Sequence, residues 1–516
     1  MLWGLVTSTV ILAVGSIIIA SLLGESNYGL YTIALTAPGL IATFRDWGVN
    51  SAIVKYTAQY NAEDKKSELR GILISGLVFE TVLGVALSLV SFVLSGFLAS
   101  SLLQRPAIEP LIQVASFTIL AGSFMNTATA AFTGVEQMKL NSVTLVIQAI
   151  LRTGLIVFLV MLGMGTFGAI MGYTIAFLLA GLIGILLMWT IYKNMPHGVI
   201  SGKAVKANIV TLFRYGLPLS ISAILSGFMA QFYSILMAIY VTNDALIGNY
   251  SVATNFVVLI TFISTPVTTM LFPAFSKLDH RTDNETLRNV FQFSVKYAAL
   301  LVVPVTMMII ALSKPGIAVL FGSRYADAPL FLGLLAFGYL MGAFGTLSIG
   351  SLINGQGDTS FNMKLTILMA IVGFPLGFVL ISQFGIVGLI VATIGASLSS
   401  LVVALPWIKK HYGVTIDWVS SLKILFCSGV AAGLTYGLTL WLSWGSLQLN
   451  LASLLTLIVG AIVFLVVFVV LILVTRTITR ADIRNIKEML SKTGPVARVV
   501  NIALGLVEKI MTLLRL

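Results

Sequence analysis

The sequence predicts an all-α polytopic membrane protein of about 14 transmembrane helices, arranged as two six-helix lobes related by a parallel internal repeat plus two extra C-terminal spans. Three observations carry this. The 516 residues are 58% hydrophobic and only 9% charged, with a mean hydropathy of +1.04, a composition foreign to soluble domains. The apolar runs are 20–30 residues long and do not alternate, which excludes a barrel built from ten-residue strands. Short motifs from the first two hundred residues also return later at a nearly constant offset.

In chain order, the apolar runs cover 1–23, 28–58, 68–100, 108–133, 140–163 and 166–192, then 210–241, 245–275, 286–313, 327–353, 361–383 and 385–408, and finally 418–444 and 450–475. Each is long enough to cross about 30 Å of hydrocarbon as a helix. The run 1–23 lacks a basic leader and continues directly into further apolar segments, so it reads as a retained first span. Loops after even-numbered spans carry Lys65, Lys66, Arg70, Lys139, Lys193, Lys203, Lys206, Lys277, Arg281, Lys364, Lys409 and Lys410. Those after odd-numbered spans carry only Arg105, Lys314 and Arg324. Lys and Arg concentrate in cytoplasmic loops, so both termini are expected in the cytoplasm. The net charge of +12 is thereby explained by topology and implies no nucleic-acid partner.

Gly29, Tyr31 and Ala34 recur as Gly248, Tyr250 and Ala253, an offset of 219. Leu69-Arg70 recurs as Leu287-Arg288 at 218, and Gly134 and Asn141 recur as Gly355 and Asn362 at 221. Gly165 and Gly168 recur as Gly385 and Gly388, an offset of 220. Six spans per copy is an even number, so the copies share one orientation, and such transporters bind cargo between their lobes. The division expected is 1–200 and 201–410 for the two lobes, 411–476 for two additional spans, and 477–516 for cytoplasmic or interfacial amphipathic helices. Pro38, Pro266, Pro304 and Pro375 fall inside spans, where proline removes a helical hydrogen bond, and mark expected bending points.

Charges inside spans cost several kcal/mol and are rarely accidental. Four lie deep: Arg45 and Asp46 in the second span, Glu80 in the third and Arg152 in the fifth. Gln148 lies one turn before Arg152, while Lys55 and Lys296 lie nearer the cytoplasmic ends. A continuous helix would place Arg45 and Asp46 about 100° apart and unable to pair with each other. The guanidinium fork suits phosphate, so these seven residues form the expected cavity for an anionic head group. The alternative is that Arg45–Glu80 and Asp46–Arg152 are neutralising pairs. No catalytic residue set, nucleotide-binding loop or metal-spaced His/Cys cluster is present, and the single Cys427 forms no intrachain disulfide. The protein is therefore not expected to be an enzyme or to hold a cofactor, with H⁺ or Na⁺ coupling left open.

Leu22-Leu23-Gly24-Glu25-Ser26-Asn27-Tyr28-Gly29-Leu30-Tyr31 is similar to the opening motif of the multidrug/oligosaccharidyl-lipid/polysaccharide flippase superfamily, in its polysaccharide-transporter (Wzx-type) branch. Phe44-Arg45-Asp46-Trp47-Gly48-Val49-Asn50-Ser51-Ala52, followed by Lys55, resembles the next motif, with Arg45 and Trp47 as departures. Leu320-Phe321-Gly322 with Tyr325 and Ala328, Asn354-Gly355-Gln356-Gly357-Asp358-Thr359, and Phe384-Gly385-Ile386-Val387-Gly388 resemble the second-lobe motifs. The similarity runs through about residues 1–410. It implies a cationic central cavity in the inner membrane of a prokaryote. Its cargo would be a polyprenyl-(pyro)phosphate-linked oligosaccharide, moved from the cytoplasmic to the outer leaflet by alternating access. Membrane lipids and glycan-assembly proteins are the implied partners. A cation-coupled multidrug exporter or a lipid II flippase of the same superfamily is the alternative. A membrane glycan polymerase or ligase is more distant, because the largest outer loop spans only about Lys314 to Asp327.

Overall fold

The computed structural model of the chain describes residues 2–193, 201–442, 449–478, 482 and 505. The fold is helical. Its helices are α1 (Leu2–Ala42), α2 (Val49–Ala62), α3 (Lys66–Val93), the short α4 (Ser95–Phe97), α5 (Glu109–Gly134), α6 (Met138–Leu159) and α7 (Gly165–Lys193). They continue with α8 (Gly202–Tyr240), α9 (Asp244–Ser276), α10 (Asn284–Phe321), α11 (Ala328–Tyr339), α12 (Thr346–Gly355), α13 (Thr359–Tyr412), α14 (Trp418–Trp441) and α15 (Leu449–Val474).

Ten helices among the described residues are long and apolar enough to cross a membrane, or up to eleven if the pair Ala328–Phe344 and Thr346–Gly355, bent by 51°, is one span. The sequence had suggested about fourteen. The difference arises because Gly4–Ala42, Met138–Lys193 and Thr359–Tyr412 each run through two of the apolar segments. Each contains a glycine with non-helical backbone angles: Gly24 (φ 73°), Gly163 (φ 85°) and Gly385 (φ 55°). By contrast, α1 passes through Pro38 and α10 through Pro304. The sharp breaks are therefore made at glycines, where positive φ carries no steric cost, rather than at these prolines. The expected amphipathic stretch 498–516 lies outside the described residues, apart from residue 505.

The chain forms two compact units. One comprises Met1–Asn255 and Met363–Ser400, the other Phe256–Asn362 and Leu401–Leu516. In the first, α5 is central and packs against α2, α3 and α7. Its seam with α3 is made of small polar residues: Ser88, Ser91, Ser116 and Ser123 are all buried. The Ser116 and Ser91 hydroxyls are 2.8 Å apart. Small residues let helices approach closely in lipid, where no hydrophobic gain distinguishes a neighbouring helix from an acyl chain. Val49, Ile53, Leu69, Leu73, Phe132 and Leu212 fill one end of this unit. In the second unit α10 is central, against α11, α12, α14 and α15. Ala311, Cys427, Ala431, Phe464 and Phe468 form its core.

Candidate functional site

Arg45 and Asp46 do not lie on a continuous helix, and this corrects the sequence reading. The helix stops at Ala42, turns through Thr43–Arg45, and restarts at Val49. Gly48 makes the restart possible. It sits in the left-handed region at φ 77°, and a Cβ there would collide with the Gly216 backbone of α8. Asp46 then serves the new helix, its Oδ1 accepting from the Asn50 N–H at 3.4 Å.

The same Asn50 connects this turn to Glu80. Its Nδ2 donates to Glu80 Oε1 at 3.1 Å. Glu80 is fully buried, and its Oε2 has no hydrogen-bond partner. Ser123 on the facing helix directs its hydroxyl to Ile119 O at 3.4 Å. The Arg45 guanidinium lies against Gly122, where a Cβ would overlap its Nη1 and push the arginine aside. Its Nη1 donates to Ile119 O at 3.4 Å, and its Nε is left without a partner. Thus Asp46 and Glu80 meet at Asn50, while Arg45 from the same turn lies against α5, and buried polar atoms in both places are incompletely satisfied. Such atoms cost about 1–3 kcal/mol each in a folded protein.

Arg152 is placed differently. Neither Arg45–Glu80 nor Asp46–Arg152 forms a salt bridge among the described residues. The Arg152 guanidinium instead lies over the Tyr173 ring at 4.8 Å. Tyr28 and Tyr31 stack nearby with centroids 5.8 Å apart, and Tyr31 meets Tyr173 edge-on at 6.3 Å. One π face thus covers the cation, with two further tyrosines packed beside that ring, an arrangement available to a planar guanidinium. Gln148 is buried on the same helix. Lys55 is exposed and sits over the Tyr215 ring at 3.9 Å. Lys296 belongs to the second unit, where its Nζ lies 2.8 Å from Asp482 Oδ2. It therefore carries no unpaired charge.

The sequence reading missed a reciprocal contact within the first unit. A Cβ at Gly29 would overlap Asp244 O, and a Cβ at Gly248 would overlap Glu25 O. Ser251 Oγ donates to Thr32 Oγ1 at 3.0 Å. Glu25, Gly29 and Thr32 precede Asp244, Gly248 and Ser251 by the same 219 residues, so equivalent positions of the repeat meet each other. Asn249 Nδ2 adds a bond to Glu25 Oε2 at 3.0 Å. Arg105, expected only as a loop cation, pairs with Asp244 and donates to Val241 O at 2.6 Å and Ala238 O at 3.2 Å. The repeat offset was the signal that could have found this contact. No such signal existed for Asp482, which lies 186 residues from Lys296.

Long glycine-broken helices, small-residue packing and charges at or inside apolar spans define the class as a multi-pass membrane protein. Residues 2–279, more than half of the chain, match the model of the polysaccharide biosynthesis protein family. The chain belongs to that family, the polysaccharide-transporter branch of the multidrug/oligosaccharidyl-lipid/polysaccharide flippase superfamily. It is 22% identical over 426 residues to the lipopolysaccharide biosynthesis protein WzxC of Escherichia coli, covering 80% of this chain and 81% of that one. It is 24% identical over 321 residues to the succinoglycan biosynthesis transport protein ExoT of Rhizobium meliloti, covering 62% and 60%. Among solved structures, the lipid II flippase MurJ in an inward closed conformation superposes with a TM-score of 0.71 at 15% identity, over 92% of this chain and 99% of that chain.

Proposed function

We propose that this protein is a flippase that moves a polyprenyl-(pyro)phosphate-linked oligosaccharide from the cytoplasmic to the outer leaflet, by alternating access, for cell-surface glycan synthesis. Family membership supports the class. The observation that carries the head-group assignment is that Arg45, in the turn ending the Gly4–Ala42 span, and Arg152, inside the Met138–Lys193 span, both belong to the first unit, and neither is neutralised by a salt bridge among its described residues. Two guanidinium groups so placed are suited to oxygens of a diphosphate. Transport rather than catalysis is the activity inferred. Membrane lipids are the surroundings, and glycan-assembly proteins are the partners that would supply and consume the cargo.

Glu80 supports coupling to H⁺ or Na⁺ as the driving force. A buried carboxylate with one oxygen held by Asn50 and the other unpartnered can exchange a cation as its surroundings open and close. This feature also fits the multidrug-exporter reading.

Proteoliposomes decide between the two. The purified protein should expose a fluorescent undecaprenyl-diphosphate oligosaccharide to an impermeant glycosidase, and Arg45→Gln should slow that exposure. Movement of cationic dyes without movement of the lipid would overturn the flippase assignment. The inner membrane of a prokaryote, with cytoplasmic termini, is the proposed setting. A cysteine at Lys65 should resist impermeant reagent in intact cells, and one at Gln104 should react.

A further inference from the structure

The first unit carries an open pocket of about 300 Å³ among α2, α5 and α6. Asn50, Ser51, Asn126, Thr129, Thr133 and Asn141 supply its polar lining, and no charged residue lines it. We propose that this pocket binds the sugar of the cargo, as a subsite separate from the arginines assigned to the diphosphate. The proposal rests on the flippase reading.

The chemistry of the lining favours hydroxyl groups. Three carboxamides and three hydroxyls offer donors and acceptors together, which is what a sugar hydroxyl, itself both, requires. Asn141 is 4% exposed. Its Nδ2 is engaged with Thr133 Oγ1 at 3.3 Å, while its Oδ1 has no partner. Asn50 is arranged in the same way, with Nδ2 committed to Glu80 and Oδ1 unpartnered. Both amide oxygens are enclosed beside the pocket, so a ligand hydroxyl would reach them only when the side chains turn towards it. The Thr129 and Thr133 hydroxyls donate along their own helix, to Asn126 O at 3.0 Å and Thr129 O at 2.7 Å; Thr133 Oγ1 already accepts from Asn141, so Thr129 keeps the larger capacity to accept.

An anion is the wrong occupant for such a lining. No cation is among the lining residues, and the buried Glu80 carboxylate stands behind Asn50. An apolar tail would leave the unpartnered oxygens unsatisfied at a cost that a hydroxyl avoids. The size falls at the small end of ligand pockets, suiting one or two sugar rings rather than a long chain. Asn50 follows the Arg45–Asp46 turn by one helical turn, so the neutral subsite adjoins the charged one within the same unit.

The test compares lipids that differ only in the sugar. The full chain in nanodiscs is titrated with bare undecaprenyl diphosphate and with the same lipid carrying a neutral hexose or an N-acetylhexosamine. The wild type should bind at least one glycosylated lipid about tenfold more tightly than the bare lipid, the scale of one or two hydrogen bonds. Asn141→Leu should erase that difference and leave binding of the bare lipid unchanged. Asn126→Ala, at a half-buried position, gives the same reading if Asn141→Leu does not fold. A wild type that does not distinguish the lipids, or variants that keep the preference, would overturn the sugar subsite and show a cavity that holds water only. Failure to bind any of the lipids would remove the flippase reading as well.

Discussion

Lys296 Nζ lies 2.8 Å from Asp482 Oδ2, and Tyr297 Oη donates to the other carboxylate oxygen at 3.1 Å. Asp482 is 3% exposed, so this is a desolvated pair joining a residue beyond the last span to α10. Breaking such a pair from one side costs about 3–5 kcal/mol, because the remaining charge stays buried. Asp482→Ala should lower the unfolding midpoint in detergent strongly. The double variant Lys296→Met with Asp482→Leu should recover most of the loss. Equal losses in the single and double variants would mean that the pair itself is not what holds this region.

Asp417 caps α14, accepting from Ser420 N–H at 3.1 Å. Burial pushes its carboxyl pKa up, but the Ser420 hydroxyl and backbone bonds and the Lys296 ammonium pull it further down, leaving it below the usual carboxylate range. The sign follows. The charged form is favoured in the fold, so the stabilisation is complete above the ordinary carboxylate pKa and lost as pH falls through the lowered folded value. Thermal unfolding of Asp417→Ala should show a deficit of about 1 kcal/mol at neutral pH, typical of a lost cap. That deficit should shrink towards acid. A gap that stays constant with pH would assign the loss to something other than the carboxylate.

The Thr32 and Ser251 hydroxyl oxygens are 3.0 Å apart on helices drawn together by Gly29 and Gly248. Cysteines at both positions, in a Cys427→Ser background, should form a disulfide on oxidation, because the required Cβ separation is about 3.5–4.5 Å. The crosslink should stop transport, and reduction should restore it. Full activity in the oxidised protein would show that these helices need not separate during the cycle.

Arg152→Lys keeps the charge at Tyr173 but loses the planar fork. Lipid flipping should fall at least about tenfold, with insertion and unfolding midpoint little changed, since a cation–π contact contributes only about 0.5–2 kcal/mol. Unaltered flipping would remove Arg152 from head-group recognition.

The helical class and the transporter family were legible because composition and ordered motifs are properties of the chain as written. The charged residues within apolar runs were legible for the same reason. Their partners were not. A continuous apolar run hides the turn at Thr43–Gly48, since neither Arg45 nor Gly48 alone outweighs the residues around them. Charge complementarity suggested carboxylate partners for Arg152, whereas the fold gave it tyrosines, which carry no sign that a sequence rule can match. Proline was the visible mark of bending, yet Gly24, Gly163 and Gly385 depart from helical geometry. The polar cavity had a faint trace in Asn126, Thr129 and Thr133, spaced three and four apart on one face of α5. Its other walls come from α2 and α6, and only the tertiary fold brings them there.

Contacts in which residue i of one copy meets residue j of the other, and j meets i in turn, are what two identical chains make around a two-fold axis. Gly29 with Asp244 and Gly248 with Glu25 preserve that form inside a single polypeptide. In a homodimer of half-length chains, any change would fall on both sides of the axis at once, and a buried charge could only be introduced twice. Joined in one gene, the copies are free to specialise. That freedom is visible in Arg45, Asp46, Glu80 and Arg152, all of which lie before residue 201, while Gly29 and Gly248 still make matching contacts.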